Sequence, residues 1–230
     1  MKILKLKLRY SNMYFVRSAV GWMIIDTGIP GKRKKILDFM HKNNIPPCKV
    51  KIIVITHAHY DHVGNLANLK FLTSAPVFIH HTGAALIESA NSVLPTPVSP
   101  MAKLSTNLVR IFPFALRFKP VKADETVHNK TSLSAYGFQA NIIPTPGHTE
   151  DSVSVVFDDG TTFTGDACFN MNFKRNVIPP FINDAETLLK SWHLLNENGV
   201  KKFYPGHGMA FGIDKFHRSF KKLEKLSKKP

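Results

Sequence analysis

At 230 residues with 43% hydrophobic content, the chain can bury one sizeable core and needs no second domain. Its apolar stretches are strand-length or broken by charge, short of the roughly 20 residues of a membrane-spanning helix. Cys48 and Cys168 are too few for a disulfide framework and lack the CxxC spacing of a redox or zinc pair. The net charge of +15 points to nucleic acid only until it is divided along the chain. Residues 1–35 hold nine Lys/Arg against Asp26, residues 201–230 hold nine against Asp214 and Glu224, and the middle is balanced. Such basic ends could meet RNA, anionic lipid or an acidic substrate, but a solvated surface explains them more simply. The opening Met1–Arg9 segment has no uninterrupted apolar signal core, so a soluble cytoplasmic protein is expected.

Leu4, Leu6 and Leu8 alternate with Lys5, Lys7 and Arg9, the period of a half-buried strand, and short strands are expected over Tyr14–Val16 and Gly21–Ile25. Gly31–Asn43 carries Ile36, Leu37, Phe39 and Met40 at helical spacing before Pro46-Pro47 stops it. The β-branched run Lys51–Ile55 predicts a buried strand. Helices are expected over Asn65–Phe71 and Gly83–Ala90, with a strand over Pro76–Ile79 between them. Strands return at Gln139–Ile143, Val153–Phe157 and Thr161–Thr164, the last two joined by an Asp158-Asp159-Gly160 turn. A helix over Ala185–Asn196, a strand over Lys202–Tyr204 and a basic terminal helix over about 214–229 complete the pattern, the last with Phe216, Phe220, Leu223 and Leu226 on one stripe. Residues 91–120 break this rhythm: prolines precede Leu104, Leu108, Phe112, Phe114 and Phe118 among basic residues, as in an apolar or helical insertion.

Chemistry concentrates just past the Lys51–Ile55 strand, in Thr56-His57-Ala58-His59-Tyr60-Asp61-His62. Side chains two apart after a strand project to the same side, so His57 and His59 converge while Asp61 and His62 follow on a turn. Four ligand-type groups in six residues point to a metal. A hydrolytic site needs further ligands on other loops, and His148 after Pro146-Gly147, Asp166 at the end of Thr161–Gly165, and His207 after Pro205-Gly206 are placed to supply them.

With Asp26, His57-x-His59-x-Asp61-His62, His148, Asp166 and His207 in this order, the sequence resembles the metallo-β-lactamase superfamily, on its lactonase and glyoxalase II side, from the first strand to His207. The resemblance implies an α/β (α+β) fold, a four-layer αββα sandwich in which two mixed β-sheets face each other with helices outside. It also implies a dinuclear centre: His57, His59 and His148 on one metal, Asp61, His62 and His207 on the other, Asp166 bridging, and Asp26 supporting a ligand from behind. Two divalent cations, expected to be zinc with iron, manganese, cobalt or nickel as alternatives, would acidify a shared water to a bridging hydroxide that attacks a carbonyl or phosphoryl centre. Asp61 is the expected proton carrier or nucleophile-orienting residue.

The expected activity is hydrolysis of an ester, lactone, thioester or amide in a small molecule. Only a short tail follows His207, where glyoxalase II enzymes carry a helical domain. Acyl-homoserine lactonases place a tyrosine shortly after the bridging aspartate, where this chain has Ala167-Cys168-Phe169. Cleavage of RNA or a phosphate ester is the alternative, and non-catalytic metal binding a second one. Tyr60, Phe169, Phe112 and Phe114 are expected at the substrate pocket, with Phe112, Phe114 and Phe118 in an apolar cap that favours acyl substrates or meets a membrane surface. His80-His81 follow a strand near the site, and one of them could touch substrate. Monomer and homodimer are both compatible with the sequence.

Overall fold

The computed structural model describes residues 1–92, 96–98, 117–171 and 176–228. Phe112 and Phe114 of the expected cap lie outside them. In the N-terminal half, β1 (Lys2–Leu8) and β2 (Ser11–Arg17) form a hairpin, and β2 continues antiparallel to β3 (Trp22–Ile25). Parallel pairing then runs from β3 to β4 (Val50–Val54), β5 (Val77–His80) and β6 (Glu125–Val127). Side chains along these strands alternate between two cores, as the strand period of two requires. Met13, Phe15, Ile24, Ile53 and Ile79 face outward against Ile36 and Met40 of α1 (Arg33–Lys42), Leu66 and Leu69 of α3 (Leu66–Thr73) and Ile87 of α4 (His81–Glu88). Tyr14, Val16, Met23, Ile25, Ile52, Val54 and Phe78 face inward.

The inward face meets its counterpart from the C-terminal half, Ile142, Val153, Val155, Phe157 and Phe163. These belong to β8 (Ala140–Pro144), β9 (Val153–Phe157) and β10 (Thr161–Asn170), with β7 (Thr131–Ser132) at the edge and β11 (Lys202–Gly208) parallel to β10. A short β12 (Phe211–Gly212) returns along β11. Outside this sheet, Leu188, Trp192 and Leu195 of α5 (Ala185–Glu197) and Phe216 and Leu223 of α6 (Ile213–Ser227) close a third core over Phe203 and Val156. The layer order is therefore helix, sheet, sheet, helix.

The two expected sheets face each other and are joined at one edge. β2 pairs with β11 through the single register pair Ser11–His207, so ten strands share one hydrogen-bonded path folded on itself, with β1 and β12 attached beside it to β2 and β11. Two expectations are corrected. Asp166 does not end its strand: β10 runs on to Asn170, because irregularities in its pairing with β11 on either side of Gly165 let the strand bend and resume. His207 likewise sits inside β11 rather than after it. No helix among the described residues is long and apolar enough to cross a membrane.

Candidate metal centre

The seven ligand-type side chains converge where the folded sheet turns back on itself. β4 delivers His57 and His59 on the extended segment beyond Val54, and the one-turn helix α2 (Tyr60–Val63) then presents Asp61 and His62 together. His148 follows β8. Asp166 and His207 come from within β10 and β11. Helix α5 steadies two of these three, His148 and Asp166: Ser191 Oγ donates to Pro146 O at 2.7 Å, and Trp192 Nε1 donates to Ala167 O at 2.8 Å. Gly206 is required between the two groups, since a Cβ there would stand 2.2 Å from Asp166 Oδ1 and 2.7 Å from His62 Cε1.

All seven are buried, and their inward atoms fall into two groups, His57–His59–His148–Asp166 and Asp61–His62–His207. In the first, His59 Nδ1 lies 2.9 Å from His57 Nε2 and 3.2 Å from His148 Nε2. In the second, His207 Nε2 lies 3.4 Å from His62 Nε2 and 3.3 Å from Asp61 Oδ2. Asp166 stands between: its Oδ2 is 3.5 Å from His148 Nε2 and 3.3 Å from His207 Nε2, and its Oδ1 is 3.4 Å from His62 Nε2.

Partners on the far side of the rings fix which nitrogen faces inward. His148 Nδ1 must donate to Phe181 O (2.9 Å), and His207 Nδ1 to Tyr10 O (2.9 Å), because a carbonyl only accepts. His62 Nδ1 donates to the Asp26 carboxylate at 2.8 Å. Thr56 Oγ1 spends its own proton on Asp26 (2.9 Å), so it accepts from His57 Nδ1 at 3.1 Å. Each of these four imidazoles therefore points its Nε2 into the cluster. Asp26 holds a left-handed backbone (φ 58°) and also accepts the Thr56 N–H at 2.8 Å, which ties β3 to the start of the histidine motif.

Burial works on all five imidazoles toward the neutral form, and the neighbours decide the outcome. Burial and then mutual repulsion hold His57 well below its ordinary value and His59 down to about 3, and burial keeps His148 low. Burial opposes protonation at His62 and His207 too, but Asp166, Asp26 and Asp61 outweigh it at His62, and Asp166 and Asp61 raise His207 to about 9. The same imidazoles overcome burial at Asp166 and hold its carboxyl well below the usual range.

The donor set fits divalent cations. Nitrogens that share one tetrahedral zinc at about 2.0–2.1 Å stand roughly 3.3 Å apart, and the observed 2.9–3.4 Å separations bracket that spacing. Asp166 Oδ1 is buried and has no hydrogen-bond partner, which leaves a charged oxygen aimed at the centre.

Other expected residues fall elsewhere. Phe169 is a buried ring stacked on His207 (4.5 Å, 14°) and backs that imidazole. Phe118 is buried in the outer N-terminal core, in the cluster that also holds Ile87 and Val121, rather than in a cap. Cys168 is buried in the opposite core with its thiol pushed up by burial. His80 is buried, its Nδ1 paired with Thr82 Oγ1 at 2.9 Å, and Thr82 lines a cavity of about 260 Å³ that borders His59. Sequence reasoning missed Thr56, the Tyr10 and Phe181 carbonyls, and Asp151, whose Oδ2 accepts the Ala58 N–H at 2.7 Å. Thr56 and Asp151 stand within three residues of motif histidines, which was their signal; the backbone carbonyls leave none.

Similarity to known proteins agrees with this geometry. A sequence profile of the metallo-β-lactamase superfamily matches residues 6–207. A probable metallo-hydrolase of Methanocaldococcus jannaschii is 26% identical over 215 residues, covering 89% of this chain and 93% of its own. Among solved structures, the B3 metallo-β-lactamase BLEG-1 matches with a TM-score of 0.73 at 21% identity over 96% of this chain and 99% of that one. TTHA1623, solved in a di-iron-bound form, matches with a TM-score of 0.68 at 23% identity over 95% and 98%. The chain belongs to the metallo-β-lactamase superfamily and is a hydrolase of that family.

Proposed function

We propose that this hydrolase cleaves a carbonyl-type bond (ester, lactone, thioester or amide) in a small molecule, using two metal ions held by the seven residues, with zinc as the favoured metal and iron as the alternative. The observation that carries this reading is the convergence of four Nε2 atoms, fixed from behind, on the Asp166 carboxylate. His57, His59 and His148 would hold one cation and Asp61, His62 and His207 the other, with Asp166 between them. When bound, such a pair would acidify a water toward neutrality and set positive charge against a developing oxyanion.

The protein's own groups do the rest. Asp26 and the Phe181 and Tyr10 carbonyls keep the imidazoles from turning, so the cluster needs little reorganisation. Asp61, His207 and His59 are the most exposed of the seven, at 7%, 7% and 6%. Asp61 is therefore placed to pass a proton between the buried centre and a leaving group at its mouth. The iron found in TTHA1623 is what makes iron the alternative.

The test is reconstitution of the metal-free protein with zinc, iron or manganese, followed by ester, lactone, thioester and phosphodiester substrates with chelator controls. Carbonyl turnover that chelation removes and metal restores is expected. A metal-loaded protein active only on phosphodiesters would transfer the case to the RNA or phosphate-ester reading, and inertness across the panel would leave metal binding alone.

A further inference from the structure

The two-residue turn between β1 and β2 lies beside the metal centre, because Ser11, its first residue beyond the turn, is the one that pairs with His207. In that turn Arg9 adopts φ 67°, a left-handed conformation ordinarily given to Gly, Asn or Asp. A residue kept in such a conformation where glycine would relieve it points to work done by its side chain. The Arg9 guanidinium is exposed and lies 5.9 Å from the Tyr10 ring. Tyr10 is stacked on His207 (6.1 Å, 11°), and its hydroxyl is hydrogen-bonded to that of Tyr60, the residue between His59 and Asp61.

A pair of hydroxyls consumes one of its two protons internally and leaves the other to offer. Tyr10 directly follows Arg9 and Tyr60 directly precedes Asp61, so the joined hydroxyls stand between a cation and a carboxylate of the centre. Two further cations from the basic ends reach the same strand end. Lys5 Nζ donates to Gly208 O at 3.4 Å, and Lys215 Nζ donates to Asn170 Oδ1, whose Nδ2 in turn donates to Met209 O at 2.8 Å. The one acidic residue among the first 35, Asp26, is buried behind His62 and cannot offset them at the surface.

We infer that Arg9, with the Tyr10 and Tyr60 hydroxyls, is the recognition patch at the mouth of the metal centre and binds an anionic oxygen group, a carboxylate or phosphate, carried by the substrate. The guanidinium fork suits such a group in charge and shape, and the spare hydroxyl proton adds a third donor. This rests on the hydrolase reading and names the class of molecule it would act on. It also gives the uneven charge of the chain a place of action, since Lys5, Arg9 and Lys215 all come from its basic ends.

The test uses zinc-loaded protein and two probes, glutarate and inorganic phosphate, titrated calorimetrically into wild type, Arg9→Gly and Tyr60→Phe. Arg9→Gly suits the backbone and removes only the side chain, while Tyr60→Phe removes one hydroxyl and keeps the ring. Glutarate or phosphate affinity is expected to fall about tenfold in Arg9→Gly, as for loss of one charge-assisted contact, and severalfold in Tyr60→Phe, with metal content retained. Loss confined to one probe identifies the headgroup; unchanged affinity for both in Arg9→Gly overturns the inference. In parallel, the ratio of kcat/KM for mono-p-nitrophenyl glutarate over p-nitrophenyl acetate should fall by the same factor in Arg9→Gly. If wild type hydrolyses neither ester, the carbonyl reading fails while the binding titrations still decide the patch.

Discussion

The two ligand groups of the centre are built from the same residue types yet prepared differently for a cation. His57, His59 and His148 face one another with Asp166 beside them, and burial outweighs that carboxylate and favours their neutral forms. His62 and His207 face Asp166 and Asp61, with Asp26 also behind His62, and these carboxylates favour the protonated form of each in the metal-free protein. The first group is thus a ready set of lone pairs, whereas the second must give up protons before it can bind. One group accepts a metal, and the other exchanges protons for it.

Asp166→Ala should break the comparison most severely, because its carboxylate touches His62, His148 and His207. Metal analysis should show fewer than two ions per chain, and turnover should fall on the order of a thousandfold. Two retained ions would mean that the groups do not depend on a shared carboxylate. Next in size is proton linkage. His207 titrates near 9 in the metal-free protein and His59 near 3. Affinity for the second ion should therefore rise with pH toward 9, by roughly tenfold per unit for each proton displaced, while the first ion shows little change above neutrality. Calorimetry in buffers of different ionisation enthalpy should find proton release with the second ion alone; equal release with both would erase the distinction.

Asp26→Asn removes the charge behind His62 and should weaken the second ion by about 10- to 100-fold while sparing the first, as read from metal titration. Smallest is Arg9→Gly, which relieves the left-handed backbone at the hairpin turn and should raise Tm by about 2–4 °C. An unchanged Tm would mean that the turn stores no strain.

Much of this was legible before any coordinates. The alternation of Leu4, Leu6 and Leu8, the β-branched run before His57 and the amphipathic Arg33–Lys42 segment follow periods that local chemistry imposes. The seven ligand-type residues carry their own chemistry in their identities. What escaped were features set by tertiary pairing. Nothing local shows that β10 resumes past Gly165, since Gly-Asp reads as a turn and only the parallel partner β11 carries the strand to Asn170. Strands as short as Thr131–Ser132 or Phe211–Gly212 hold no measurable period, and the one-turn helix at Tyr60 is shorter than a helical repeat can register. Tyr10 is the sharpest miss: its carbonyl orients His207 and its hydroxyl meets Tyr60, yet in sequence it is only a turn residue.

The central claim is that two ions sit in these two groups, and an anomalous difference map of the zinc-reconstituted protein, collected on either side of the zinc edge, tests it directly. Two peaks are predicted, one bounded by His57, His59 and His148 and one by Asp61, His62 and His207, with Asp166 between them. A map with no peak among these residues, from protein that refines with its side chains as described, would contradict the account.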